Sequence, residues 1–112
     1  MTFKEAINLS ERIITRFEKI EQREWGVEGA VIELAKQLGE LSKLVMVCEK
    51  YYFANRDKVD KKYDSSKEKI GDELADIIYA TVRIARHYRI NLEDAYIQAR
   101  KTEDDFLRSK GV

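Results

Sequence analysis

Proline is absent from the 112 residues, so no position is barred from helix by a missing N–H or a fixed φ. There is one cysteine, Cys48, which excludes an internal disulfide, and its apolar neighbours Val45, Met46 and Val47 predict a buried, unreactive thiol. No apolar run exceeds Leu44 to Cys48, far short of the roughly 20 residues of a membrane span, and the N-terminus lacks the apolar region of a signal peptide. These absences predict a soluble, cytoplasmic protein. Net charge is also missing: 21 basic and 21 acidic residues cancel, so no general field draws the chain to a nucleic acid polymer or an anionic membrane. A charged ligand must then be met by a local cluster. Only three asparagines and three glutamines occur, and 38% of residues are charged, a profile compatible with a thermophilic source.

What the sequence does contain is helical periodicity. With 44% apolar residues and no break in composition, residues 1–112 read as one domain with one modest core. Thr2 followed by Glu5 forms a capping box, and Ile7, Ile13, Ile14, Phe17 and Ile20 make the stripe of a first helix ending near Gln22 to Gly26. A second helix runs from about Val27 to the Tyr51–Asn55 region. Its Val31, Leu34, Leu38, Leu41, Val45 and Cys48 alternate three- and four-residue steps, the spacing of a bundle seam. Asn55 to Ser66 is polar and aperiodic and reads as a connection, after which Ser65 and Glu68 form a second capping box.

The third helix carries Ile70, Leu74, Ile77, Ile78, Thr81, Ile84, Ala85 and Tyr88. Asn91, three residues before Asp94, caps a fourth that buries Leu92, Ala95, Tyr96, Ala99 and Phe106. The pattern predicts an all-α four-helix bundle. The end of the second helix is apolar around most of its circumference, from Leu44 through Cys48 to Tyr51, Tyr52 and Phe53. A chain this short cannot surround one of its own helices, so the reading is a homodimer or dimer of dimers.

Two acidic faces border the apolar stripes. Glu33, Gln37 and Glu40 fall within about 60° of one another at 100° per residue, beside Leu34, Leu38 and Leu41. Glu73 and Asp76 are neighbours on the third helix, with Glu73 beside Ile77 and Ile84. Carboxylates at this spacing on two facing helices can converge on a hard divalent ion such as Mg²⁺, which keeps positions for water and phosphate oxygens and suits hydrolysis of a phosphate ester or anhydride. The competing reading is a solvated, salt-bridged face, because Glu18/Glu21, Glu21/Glu24 and Asp57/Asp60 have the same spacing. Position at the edge of a stripe distinguishes Glu40, Glu73 and Asp76.

Leu38-Gly39-Glu40-Leu41, followed by Glu73-Leu74-Ala75-Asp76-Ile77, resembles the motifs of the MazG-type all-α nucleoside triphosphate pyrophosphohydrolases, Glu-Glu-x-x-Glu and then Glu-x-x-Asp. Ile84-Ala85-Arg86 and Ile90-Asn91-Leu92-Glu93-Asp94-Ala95 extend the resemblance, which covers roughly residues 28 to 100. It implies oligomers of helical bundles, Mg²⁺ or Mn²⁺ held by Glu40, Glu73 and Asp76, and water attacking the α-phosphate of a nucleoside triphosphate to release pyrophosphate. The first two glutamates of the pattern fall on Lys36 and Gln37. That removes two anionic ligands and adds a cation, which weakens magnesium binding; Gln37 retains a neutral oxygen, and Glu33 one turn earlier offers a substitute carboxylate.

Lys101, Asp105 and Arg108 loosely match the family's phosphate-contacting residues on its last helix, although an exposed basic flank is the favoured reading. Trp25 could stack on a base or fill a helix junction. His87, near a helix end, is assigned no chemistry. The expected function is Mg²⁺-dependent nucleoside triphosphate pyrophosphohydrolysis of reduced strength. The alternative is a catalytically inactive relative that binds a nucleotide or a partner.

Overall fold

The computed structural model describes residues 1–23 and 25–112; Glu24, one member of the Glu21/Glu24 pair, lies outside the described residues. Among the described residues, five α-helices and a 3₁₀ turn account for the regular structure: α1 (Phe3–Glu18), α2 (Val27–Cys48), α3 (Arg56–Val59), the turn Lys61–Tyr63, α4 (Lys67–His87) and α5 (Leu92–Ser109). No strand occurs among the described residues. Among the described residues no helix is long and apolar enough to cross a membrane. The helices group into two compact units, one of Met1–Glu24 with Val82–Val112 and one of Trp25–Thr81.

Two helix starts follow the cap chemistry of the sequence. The Thr2 hydroxyl accepts from the Glu5 N–H at 3.1 Å, and the Asn91 side chain accepts from the Asp94 N–H at 3.0 Å. A third start is shifted by one residue. Ser66, rather than Ser65, accepts from the Lys69 N–H at 3.1 Å, while Ser65 donates to the Leu44 carbonyl at 2.8 Å and joins the start of α4 to the last turn of α2. A side chain one residue nearer the helix reaches the third N–H, and its neighbour is left to make a tertiary bond.

Helix α2 ends earlier than the apolar pattern suggests. Lys50 takes a left-handed φ of 62°, its N–H donates to the Val47 carbonyl, and the Tyr51 N–H donates to the Met46 carbonyl at 2.9 Å. This paired closure satisfies the last carbonyls and turns the chain out of the helix at Glu49. The aromatic residues beyond therefore belong to the connection, which also holds α3 and the 3₁₀ turn. Helix α1 likewise stops at Glu18, short of the expected Gln22 to Gly26.

In the first unit, Ile14, Val82 and Ala85 are buried, and the Arg86 guanidinium ties the end of α4 to α1 through Glu18 at 2.8 Å and the Thr15 hydroxyl at 2.9 Å. Phe3 meets Tyr96 edge-on, with ring centroids 6.1 Å apart. In the second unit, Ala30, Leu44 and Ala80 form the buried centre. Leu44→Ala should cost about 2–5 kcal/mol in chemical denaturation, the usual penalty for truncating a buried leucine.

Several expected core residues are not covered within the chain. Cys48 is exposed, as are Val31, Leu38 and Val45 of the predicted seam, Phe17 of α1 and Ile20 just beyond it, and Ala95, Tyr96, Ala99 and Phe106 of α5. The physical reason is one of geometry. The buried side of α2 runs through Ala30 and Leu44, about 100° around the helix from Leu38, so one helix carries two apolar faces and its own unit covers only the first.

Candidate functional site

The candidate acidic residues of the second unit lie on α2 and α4, and the Ser65–Leu44 bond sets the start of α4 beside the end of α2. Going back along α2 from Leu44 and forward along α4 from Ser65 brings Glu40 and Lys36 to the level of Glu73. Glu73 is half-buried and its Oε2 is screened from solvent. Among the described residues it is the one buried side-chain polar atom without a hydrogen-bond partner. Burial raises the pKa of this carboxyl above its ordinary 4.5, the negative charges of Asp76 and Glu40 raise it further, and the Lys36 ammonium opposes them. Glu40, Glu73 and Asp76 therefore share one electrostatic neighbourhood.

The remaining members are engaged in ways that sequence spacing does not specify. Lys43 Nζ lies 3.4 Å from Glu40 Oε2, with both side chains part exposed. The Gln37 amide donates to Glu33 Oε1 at 3.0 Å, and Lys36 Nζ stands 3.9 Å from the same oxygen. Glu33 is thus committed to its own helix. Among the described residues no group of three or more His, Cys, Asp or Glu side chains stands ready to enclose a metal ion. What the site offers is one partnerless carboxylate oxygen with three further carboxylates, Asp76, Glu40 and Asp72, near enough to perturb it.

No family model, characterised protein or solved structure matches this chain significantly.

Lys101 and Arg108 belong to the other unit, on α5, where both are exposed and Arg108 pairs with Asp104 at 2.9 Å. Asp105 is exposed on the same helix. Trp25 is 47% exposed ahead of α2, and its ring lies over Gly29, where an added Cβ would come within 2.6 Å of the indole. Gly29 is therefore the residue that lets the tryptophan fold back along the helix, a local packing role.

One cluster escaped the sequence reading. Arg56 sits among three aromatic rings, 3.7 Å from the Tyr63 centroid, 4.9 Å from Tyr52 and 5.3 Å from Phe53, and donates to the Tyr63 hydroxyl at 2.6 Å. Cation–π attraction and this hydrogen bond close the connection between α2 and α4. The only signal in the sequence is Tyr52-Phe53 upstream and Tyr63 downstream of an arginine. Their meeting depends on the left-handed residues Lys50 and Asn55, which turn the chain back.

Proposed function

We propose that this chain is a homo-oligomeric, Mg²⁺-dependent nucleoside triphosphate pyrophosphohydrolase of the MazG type with weakened metal affinity, converting a nucleoside triphosphate to the monophosphate and pyrophosphate. The observation that carries the reading is Glu73 Oε2, withdrawn from water, without a partner, and beside the charges of Asp76 and Glu40. Leaving a carboxylate oxygen in that condition is costly, and a divalent cation accepting it would remove the cost.

The donor set suits a hard ion. Glu40, Glu73 and Asp76 supply carboxylates and Gln37 a neutral amide oxygen, which are the ligands magnesium prefers. Such an ion, when bound, supplies activation of a water molecule and neutralisation of phosphate charge. The protein side of the reading is to supply these oxygens from two helices, α2 and α4. Glu40 must leave Lys43 to take part, and an exposed ion pair of this kind is worth only about 0.2–1 kcal/mol. The test is pyrophosphate release from a panel of nucleoside triphosphates with Mg²⁺ or Mn²⁺. Turnover that disappears in Glu73→Gln supports the assignment, and no turnover on any nucleotide removes it.

A second reading has its own observation. Lys36 stands where the acidic pattern has a glutamate and acts on Glu73 as a cation already in place, which suits a non-catalytic oligomer that binds a nucleotide or partner. Calorimetry separates the two: tight nucleotide binding without product is the signature of this alternative.

A further inference from the structure

Helix α1 carries a run of cations that the chain does not pair. Asn8, Arg12 and Arg16 follow one another at one-turn steps and Lys19 comes just beyond the helix, all within an arc of about 80° at 100° per residue. Arg12 and Arg16 are exposed, and among the described residues neither guanidinium has an ion-pair or hydrogen-bond partner. Elsewhere basic side chains are partnered, Lys69 by Asp64, Arg100 by Glu103 and Arg108 by Asp104. Like charges four residues apart destabilise a helix, whereas a carboxylate at either position would have stabilised it. The spacing is therefore a local cost to α1 with no compensating partner among the described residues.

A third guanidinium joins them from the end of α4. Arg86 is half-buried and pinned: it donates to Glu18 Oε1 at 2.8 Å and to the Thr15 hydroxyl at 2.9 Å, and that hydroxyl in turn donates to the Glu11 carbonyl at 3.1 Å. These bonds use two of the five N–H donors of the guanidinium and fix its plane, leaving the others to a ligand. With Asn8, Glu11 and Thr15, the three arginines line an open depression of about 590 Å³, all of it within the first unit. That volume is in the range that takes a small molecule rather than a lone ion. Of the described residues lining it Glu11 alone is acidic, and Glu18 offsets Arg86, so Arg12, Arg16 and the nearby Lys19 leave an excess of positive charge.

We infer that this depression binds a chain of phosphates, either an inorganic oligophosphate or the phosphate chain of a nucleotide, with Arg12 and Arg16 as the contacting forks and Arg86 as a third fork already set in place. A planar guanidinium takes two phosphate oxygens at once, and residues one helical turn apart stand about 5–6 Å from each other, a span that successive phosphates of one chain bridge. A single carboxylate would leave one of the two unpaired arginines without a partner. A nucleic acid polymer engages cations along a longer track than this cluster provides. The chain as a whole is neutral, so attraction of an anion falls to a local cluster such as this one. The depression uses no residue of the acidic site, and binding here does not depend on hydrolysis.

Calorimetric titration of the full chain with inorganic triphosphate, in EDTA and at low ionic strength, should show saturable binding. Arg12→Ala and Arg16→Ala should each weaken it at least about tenfold, and Arg16→Lys at least about threefold, because an ammonium keeps the charge and loses the fork. Lys110→Ala removes the same charge from the same unit and should change the affinity less than about twofold. By circular dichroism Arg12→Ala should remain folded, with a thermal midpoint no lower than that of the parent, since a like-charge contact is removed. Adenosine triphosphate separates the two sources: affinity no higher than that of inorganic triphosphate makes the phosphate chain the whole ligand, and higher affinity adds the nucleoside to it. Glu73→Gln should bind triphosphate as the parent does, which keeps this site distinct from the hydrolytic reading. No saturable binding at millimolar triphosphate, unchanged affinity in the alanine variants, an equal loss in Lys110→Ala, or tighter binding of poly-glutamate than of triphosphate overturns the inference.

Discussion

Glu73→Gln should lower metal-dependent pyrophosphate release by at least about 100-fold while making the metal-free protein more stable at neutral pH, by roughly 2–5 °C in the thermal midpoint. The two effects have opposite signs because they act on one charge. In the folded chain the carboxylate is disfavoured, first by burial and then by Asp76 and Glu40, and its Oε2 finds no donor. Glutamine keeps the volume, removes the charge and brings an N–H₂ that can donate to either neighbouring carboxylate. The same substitution deletes the anionic oxygen on which cation binding rests. A residue with a purely structural role would give stability change in one direction and leave turnover untouched.

The pH dependence follows from the same shift. A carboxyl whose folded-state pKa lies above the ordinary 4.5 holds its proton in the folded chain at pH values where the unfolded chain has lost it. Stability from this group therefore falls as pH rises through that window and is regained as pH falls toward 4.5. Asp60 and Asp64, held below 3.8 by the Lys62 backbone N–H and by the Lys69 ammonium respectively, act in the opposite sense and at lower pH. Thermal unfolding of the metal-free protein between pH 7 and 4.5 should show the Glu73 gain, and Glu73→Gln should lack it. Magnesium should flatten the same slope by keeping the carboxylate ionised and occupied.

The double substitution Lys36→Glu with Gln37→Glu is expected to raise divalent-cation affinity at least about tenfold and to increase turnover with it, because cation affinity follows the number of anionic ligands. Without metal it should destabilise the chain. Lys36 is the cation that opposes the raised pKa of Glu73, and it also stands beside Glu33, so its reversal leaves several carboxylates facing one another. Saturating magnesium should then restore the midpoint, since a ligand at about 100 times its dissociation constant contributes about 2.7 kcal/mol. Unchanged affinity would mean that the first turn of the α2 acidic face does not reach the ion.

The helices themselves were largely legible in the sequence, for reasons particular to each. Thr2 and Asn91 stand one turn ahead of a strong stripe with nothing competing for the cap. Ser65 and Ser66 compete, and only the three-dimensional position of Leu44 decides which becomes the tertiary donor. The end of α2 was not readable, because a lysine rather than a glycine takes the left-handed position that closes it. Three-residue spacing at the edge of two stripes put Glu40, Glu73 and Asp76 forward as candidates; it could not show that Glu73 Oε2 is left buried without a hydrogen-bond partner. That Lys43 covers Glu40, and that Gln37 turns to Glu33, are rotamer choices that spacing leaves open. Apolar patterning showed where Leu38, Val45 and Cys48 lie on the helix; it could not show that the chain leaves them exposed.

Electron paramagnetic resonance of Mn²⁺ titrated into the protein, with and without Glu73→Gln, tests most directly whether carboxylates of α2 and α4 hold a divalent ion. The expected result is loss of the free-Mn²⁺ signal up to one or two ions per chain in the wild type, competed by Mg²⁺ and abolished by the substitution. An unreduced free-ion signal at millimolar metal, or binding that Glu73→Gln leaves intact, would contradict it.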